Sequence, residues 1–121
     1  MEDFVTFELA VKLKEKGFTL PKSEIIGKFD SDGLFHSQLY INFTETMDLD
    51  EIIAPMISQV LKWLRDEKKI VINIEYIPYT WQYKIIDISF ERRFESYGRV
   101  IFSDYEEAAI KGIEYVLDNL I

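Results

Sequence analysis

At 121 residues, with 48% hydrophobic and 15% aromatic content, the chain suffices for one domain with its own core and needs no disulfide or metal to hold it. Cysteine is absent, which excludes disulfide staples, thiolate zinc sites and cysteine nucleophiles and suits a reducing compartment. The charge of −8, from 22 acidic and 14 basic residues, creates a field that repels phosphate backbones and disfavours nucleic acid as a partner.

The opening Met1-Glu2-Asp3-Phe4-Val5-Thr6 has neither a basic n-region nor an apolar h-region, so no secretory signal is expected. No apolar run approaches the ~18 residues of a membrane span. The expectation is a cytoplasmic protein without membrane association, in which the Asn42-Phe43-Thr44 sequon carries no weight. Acids alternate with Lys12, Lys14, Lys16, Lys62, Arg65, Lys68 and Lys69, which reads as solubility rather than mimicry of a nucleic acid.

Thr6 is the expected N-cap of a first helix, with Glu8 in the first turn where the helix dipole favours an anion. Phe7, Leu9, Ala10, Val11 and Leu13 form its apolar stripe, and Gly17-Phe18 is a Schellman-type stop. Glu24 to Phe29 is compatible with a short strand. Asp30-Ser31-Asp32-Gly33 resembles the start of a calcium loop, but Gly33 follows Asp32 directly and Leu39 stands where a glutamate is needed, so a tight turn is expected. From Phe35 to Phe43 the alternation places Phe35, Ser37, Leu39, Ile41 and Phe43 on a core face. His36, Gln38, Tyr40 and Asn42 take a wet one.

Met56, Ile57, Val60, Leu61, Trp63 and Leu64 give helical periodicity up to Lys68. Pro55 suits the first helical position; a start at Asp50 with a kink at Pro55 is the alternative. Strand-like runs from Lys69 to Ile77 and Gln82 to Phe90 flank a turn. The first sets Ile70, Ile72, Ile74 and Tyr76 against Val71, Asn73, Glu75 and Ile77. In the second, Ile86, Ile88 and Phe90 alternate with Asp87 and Ser89 and mark the core face. Glu91 to Gly98 reads as a charged loop, and Arg99 to Phe102 as a short edge strand. A closing helix begins at a capping box of Ser103 and Glu106 and buries Tyr105, Ala109, Gly112, Ile113, Val116 and Leu120, with Gly112 allowing close approach to the sheet.

The most informative segment is the hairpin tip, Tyr76-Ile77-Pro78-Tyr79-Thr80-Trp81-Gln82-Tyr83. Its four aromatics either fold back, with Trp81 and Tyr83 closing the sheet over the second helix, or stand exposed as a contact surface. Tyrosine and tryptophan offer rigid contact area at low entropic cost. Tyr76, Tyr79, Trp81 and Tyr83 are therefore the binding candidates, joined by His36 and Tyr40 if the two strands are neighbours. His36 is the only histidine, with no acid, nucleophile or second ligand in an evident motif beside it. The acids at Asp48, Asp50, Glu51, Glu106 and Glu107 fall at helix starts, where the dipole explains them. Arg92 and Arg93 form a basic pair flanked by Glu91 and Glu95, which reads as a salt-bridged loop. No glycine pattern cradles phosphate, and no cofactor, metal site or catalytic residue is expected.

Phe4-Val5-Thr6-Phe7-Glu8 leading to Leu13-Lys14-Glu15-Lys16-Gly17-Phe18 resembles small uncharacterised proteins of Bacteroides-type genomes and their prophages. So do Ala54-Pro55 before Leu61-Lys62-Trp63-Leu64-Arg65, the Tyr79-Thr80-Trp81-x-Tyr83 hairpin, and Tyr105-Glu106-Glu107-Ala108. The resemblance implies a mobile-element origin and no particular chemistry.

The reading is a single α+β domain over 1–121, in the order α-β-β-α-β-β-(β)-α, with one antiparallel sheet of three to five strands and about three helices on one face. Its C-terminal half partly echoes a double-stranded-RNA-binding domain, but the acidity and the absence of a lysine cluster at the last helix start argue against that role. The function expected is that of a non-enzymatic accessory protein acting through a protein partner or self-association. The alternative is a small enzyme or ligand-binding domain using the polar sheet face around His36.

Overall fold

Thr6 starts the first helix as its sequence position requires: its Oγ1 accepts a hydrogen bond from the Leu9 amide at 3.2 Å. In the computed structural model, which describes residues 4–21, 24–25, 27–30, 32–37, 52–96 and 102–121, this helix, α1, spans Phe7–Glu15. Its end is a complete Schellman motif. The Phe18 amide donates to the Leu13 carbonyl at 2.9 Å, the Gly17 amide to Lys14 at 3.1 Å, and Gly17 takes φ +88°. Leu9, Ala10 and Leu13 are buried, as the apolar stripe requires.

The chain divides into two units, Met1–Met56 and Ile57–Ile121. In the first, β1 (Gly27–Phe29) lies between β2 (Phe35–Ser37) and β3 (Ile52–Ile53), all antiparallel. Phe29 and Phe35 stand opposite each other, and Phe29 meets Phe7 of α1 edge-on at 5.4 Å. The Asp30–Gly33 segment is a tight turn: the Gly33 amide donates to the Asp30 carbonyl at 3.0 Å, and Gly33 takes φ +81°. Most of the expected strand from Phe35 to Phe43 lies outside the described residues.

Ile52–Ile53 is a strand, which removes the helix start at Asp50. Pro55 is also too early. The Val5 amide donates to the Pro55 carbonyl at 3.0 Å and Met56 bridges Phe4, so the backbone stays extended until α2 begins at Ile57 and runs to Glu67. Lys69, at φ +57°, then turns the chain into the second sheet.

The second unit runs α2, β4 (Ile70–Ile77), β5 (Thr80–Asp87), β6 (Arg92–Glu95) and α3 (Tyr105–Asn119), with the sheet antiparallel in the order β4-β5-β6. The molecule is thus α+β, with its strands in two three-stranded antiparallel sheets. The expected loop at Glu91–Gly98 is corrected over Arg92–Glu95, which pairs with β5 from Asp87↔Arg92 to Lys84↔Glu95. Three charged residues and one half-buried phenylalanine in Arg-Arg-Phe-Glu suit an edge strand, where one side meets water. Of the expected strand 99–102 only Phe102 is described, and it forms an isolated bridge to Trp81.

The core face of β5 is also corrected. Ile70 pairs with Asp87, Ile72 with Ile85, Ile74 with Tyr83 and Tyr76 with Trp81, so β5 turns Trp81, Tyr83, Ile85 and Asp87 to the face that α3 covers. Ile88 and Phe90, expected inside, are 53% and 70% exposed. The two-residue turn Pro78-Tyr79 sets this parity, and hydrophobicity alone could not anticipate that a buried aspartate would hold an inward position.

Asp104, rather than Ser103, is the N-cap of α3, accepting from the Glu107 amide at 2.7 Å. Glu107 in turn accepts from the Ser103 amide at 3.2 Å and hydroxyl at 2.7 Å, so the cap sits one residue later than expected and the N3 glutamate reaches back to the residue before it. Gly112 acts as its composition implied. A Cβ there would lie 3.2 Å from Ile72 Cγ2 and 3.3 Å from Tyr83 Cγ, so glycine lets α3 rest this close to the sheet without displacing either side chain.

Candidate functional site

The hairpin β4–β5 separates its four aromatics by exposure. Tyr83 is half-buried beneath α3, its ring 5.8 Å from Phe102 and 6.4 Å from Tyr115. Trp81 is half-buried too, between Tyr76 at 5.2 Å and Tyr105 at 5.8 Å, the latter perpendicular. The helix these aromatics meet is α3 and not, as expected, α2, because the register puts Trp81 and Tyr83 opposite Tyr76 and Ile74 on the face that Gly112 approaches. Aromatic pairs in such tilted and edge-on arrangements add about 0.5–1.5 kcal/mol each beyond the area they bury.

Outside this packed row lies the exposed remainder. Tyr76 is 63% and Tyr79 95% exposed, Tyr105 is 38% exposed, and Pro78 between them is open to water. Tyr79 takes φ +75°, while the Pro78 ring fixes φ near −65°. That sign pair is a type II pattern, which normally wants glycine or asparagine at its second position. A β-carbon in the left-handed region costs about 1–2 kcal/mol. The tip therefore holds a large side chain outward in a conformation that side chain does not favour. Tyr105, read from the sequence as a helix-facing core residue, joins this surface. Its place at the first helical position is the signal, because N1 projects beyond the packed turns.

His36 stands on β2 of the first sheet. β2 and β5 belong to different sheets, so the wet strand face does not extend the hairpin surface within one sheet. His36 Nε2 lies 2.8 Å from Asp30 Oδ2, with the two side chains 41% and 29% exposed. Asp30 also accepts from the Asp32 and Leu34 amides at 2.9 and 3.0 Å, so its carboxylate is the organiser of the β1–β2 turn. The His36 contact first, then the Leu34 amide, holds the Asp30 carboxyl below its ordinary value. Tyr40 lies outside the described residues.

Two polar groupings escaped the sequence reading. Asp87, with its side chain 3% exposed, accepts from Arg92 Nη2 at 2.8 Å, and the Arg92 guanidinium lies over the rings of Phe90 and Phe94 at 5.0 and 5.7 Å. Arg92 thus serves the sheet rather than the solvated loop expected of it. Buried Gln82 and Ser96 are joined by a 2.6 Å bond from the Ser96 hydroxyl, which also accepts from the Tyr83 amide at 2.9 Å. Both satisfy buried polar atoms, which explains them without a reaction. Among the described residues no helix is long and apolar enough to cross a membrane. No family model, curated protein or solved structure matches this chain.

Proposed function

We propose that the protein is a non-enzymatic accessory protein that works by protein–protein contact through the hairpin tip. The observation that carries this reading is the exposure of Tyr76, Tyr79 and Tyr105, two of which, Tyr76 and Tyr105, flank the Trp81 ring. An accessible aromatic cluster on a rigid hairpin has the rigidity and contact area of an interface hot spot, and an unmet apolar surface of this kind favours association. The net charge of −8 supports a protein rather than a nucleic acid as the partner. The resemblance of its capping and hairpin motifs to proteins of Bacteroides-type genomes and prophages implies a mobile-element origin, and the absence of cysteine suits a reducing, cytoplasmic place of action.

The polar surface around His36 supports a ligand-binding or catalytic reading less well, because Asp30 is engaged by two backbone amides as well as the imidazole. The test compares wild type with Tyr76→Ser/Tyr79→Ser by sedimentation velocity and by affinity capture from the native host. Both side chains are exposed, so the variant's thermal unfolding is expected to remain close to wild type. Loss of self-association or of the retained partner supports the tip as the contact surface. Unchanged assembly in a folded variant overturns it.

A further inference from the structure

We propose that the tip and the outer edge of β4 together receive an extended, basic segment of a partner protein as an added strand; this rests on the reading of the tip as a contact surface. The first observation is the direction of the backbone. The Trp81 amide donates to the Phe102 carbonyl at 3.2 Å and the Tyr83 amide to Ser96 Oγ at 2.9 Å, so both residues spend their amides on the side away from β4. Alternation then assigns the β4-facing bonds of β5 to Thr80, Gln82 and Lys84, whose partners are Ile77, Glu75 and Asn73. The remaining β4 residues, Ile70, Ile72, Ile74 and Tyr76, aim their N–H and C=O groups outward, where the described residues provide no ladder partner. Ile70 and Ile72 are closely covered, at 2% and 9% exposure, whereas Ile74 is half-buried and Tyr76 open. The accessible edge is therefore Ile74 to Ile77, next to the aromatic cluster.

The second observation is charge. The tip residues 74–83 and 102–110 contain Glu75, Asp104, Glu106 and Glu107, while the neighbouring Lys84, opposite Asn73 on the Glu75 face, is ion-paired to Glu95 at 3.7 Å. Glu75 and Tyr76 alternate across the two faces of the edge, so a guest strand sets successive side chains beside a carboxylate on one face and beside an aromatic ring on the other. Both neighbours favour a cation, the first by charge and the second through the ring face. A second copy of this chain would instead bring another acidic edge against Glu75, and the charge of −8 on each copy opposes that pairing.

The probe is an eight-residue capped peptide of alternating threonine and arginine, titrated into the 15N-labelled full chain and followed by NMR. The expected result is a set of shift changes centred on the amides of Ile74 and Tyr76 and the Trp81 indole. The affinity should be at least tenfold above that of the threonine–glutamate counterpart and should weaken in high salt. Two further arginine peptides carry N-methyl groups on either the threonine or the arginine amides, and at least one should lose tenfold or more. Equal binding of the arginine and glutamate peptides, retention by both N-methylated forms, or no shift up to about 1 mM would overturn the inference. Should the tip variant lose its assembly while the arginine peptide fails to bind, only this inference falls; should the tip variant assemble normally, the underlying reading falls.

Discussion

Asp87 and Arg92 stand directly opposite each other at the end of the β4-β5-β6 sheet, their side chains joined at 2.8 Å, with the carboxylate enclosed and the guanidinium laid over two phenylalanine rings. Removing one partner leaves an uncompensated charge in a nearly dry position, which typically costs 3–5 kcal/mol when both groups are buried. Because Arg92 is about half exposed, Arg92→Met is expected to cost less, about 2–3 kcal/mol in urea unfolding. The double variant Asp87→Leu/Arg92→Met should recover most of the loss, and a double-mutant cycle measures the coupling.

Gly112 presents two opposing terms. Alanine would gain about 1 kcal/mol of helix propensity, while its Cβ would press on Ile72 and Tyr83 at 3.2 and 3.3 Å. Gly112→Ala is expected to stay within about 1 kcal/mol of wild type, whereas Gly112→Val adds bulk and a poor helix former and should cost roughly 3 kcal/mol. Chemical unfolding of the two variants checks the ordering.

Tyr79 should separate stability from function. With φ at +75° and a 95% exposed side chain, Tyr79→Gly relieves the left-handed penalty and should raise stability by about 1 kcal/mol. The same variant should weaken whatever contact the tip makes. Thermal unfolding and the assembly measurement, made on one sample, report both effects.

The Asp30 carboxyl is held below its ordinary value by His36 and the Leu34 amide. A carboxyl lowered in the folded state stabilises above its unfolded value, and that contribution is lost as pH falls through the folded one. The Glu107 carboxyl is likewise lowered, by the Ser103 hydroxyl and amide, and acts in the same acid window. Wild type should therefore exceed Asp30→Asn in melting temperature near neutral pH, with the difference shrinking below about pH 4. A difference that grows on acidification would contradict the assignment.

Much of the fold was readable because it rests on local chemistry. Thr6 and Gly17-Phe18 bound α1, periodicity located α2 and α3, and Gly112 announced a close helix–sheet contact. What failed to show was register and pairing at a distance. Nothing in Arg-Arg-Phe-Glu announces that Asp87 lies across from it, and the inward face of β5 depends on where Pro78 and Tyr79 place the turn. The site divides the same way. The hairpin aromatics were legible as candidates, but only the geometry separates exposed Tyr76 and Tyr79 from half-buried Tyr83 under α3, and adds Tyr105.

The most direct measurement places a photocrosslinking side chain at Tyr79 in one protein and at His36 in another, and exposes each in its native host. Crosslinked adducts are expected from position 79, abolished by Tyr76→Ser, and absent or nonspecific from position 36. Adducts confined to position 36, or adducts at 79 indifferent to Tyr76, would contradict the claim that the aromatic tip is where this protein meets its partner.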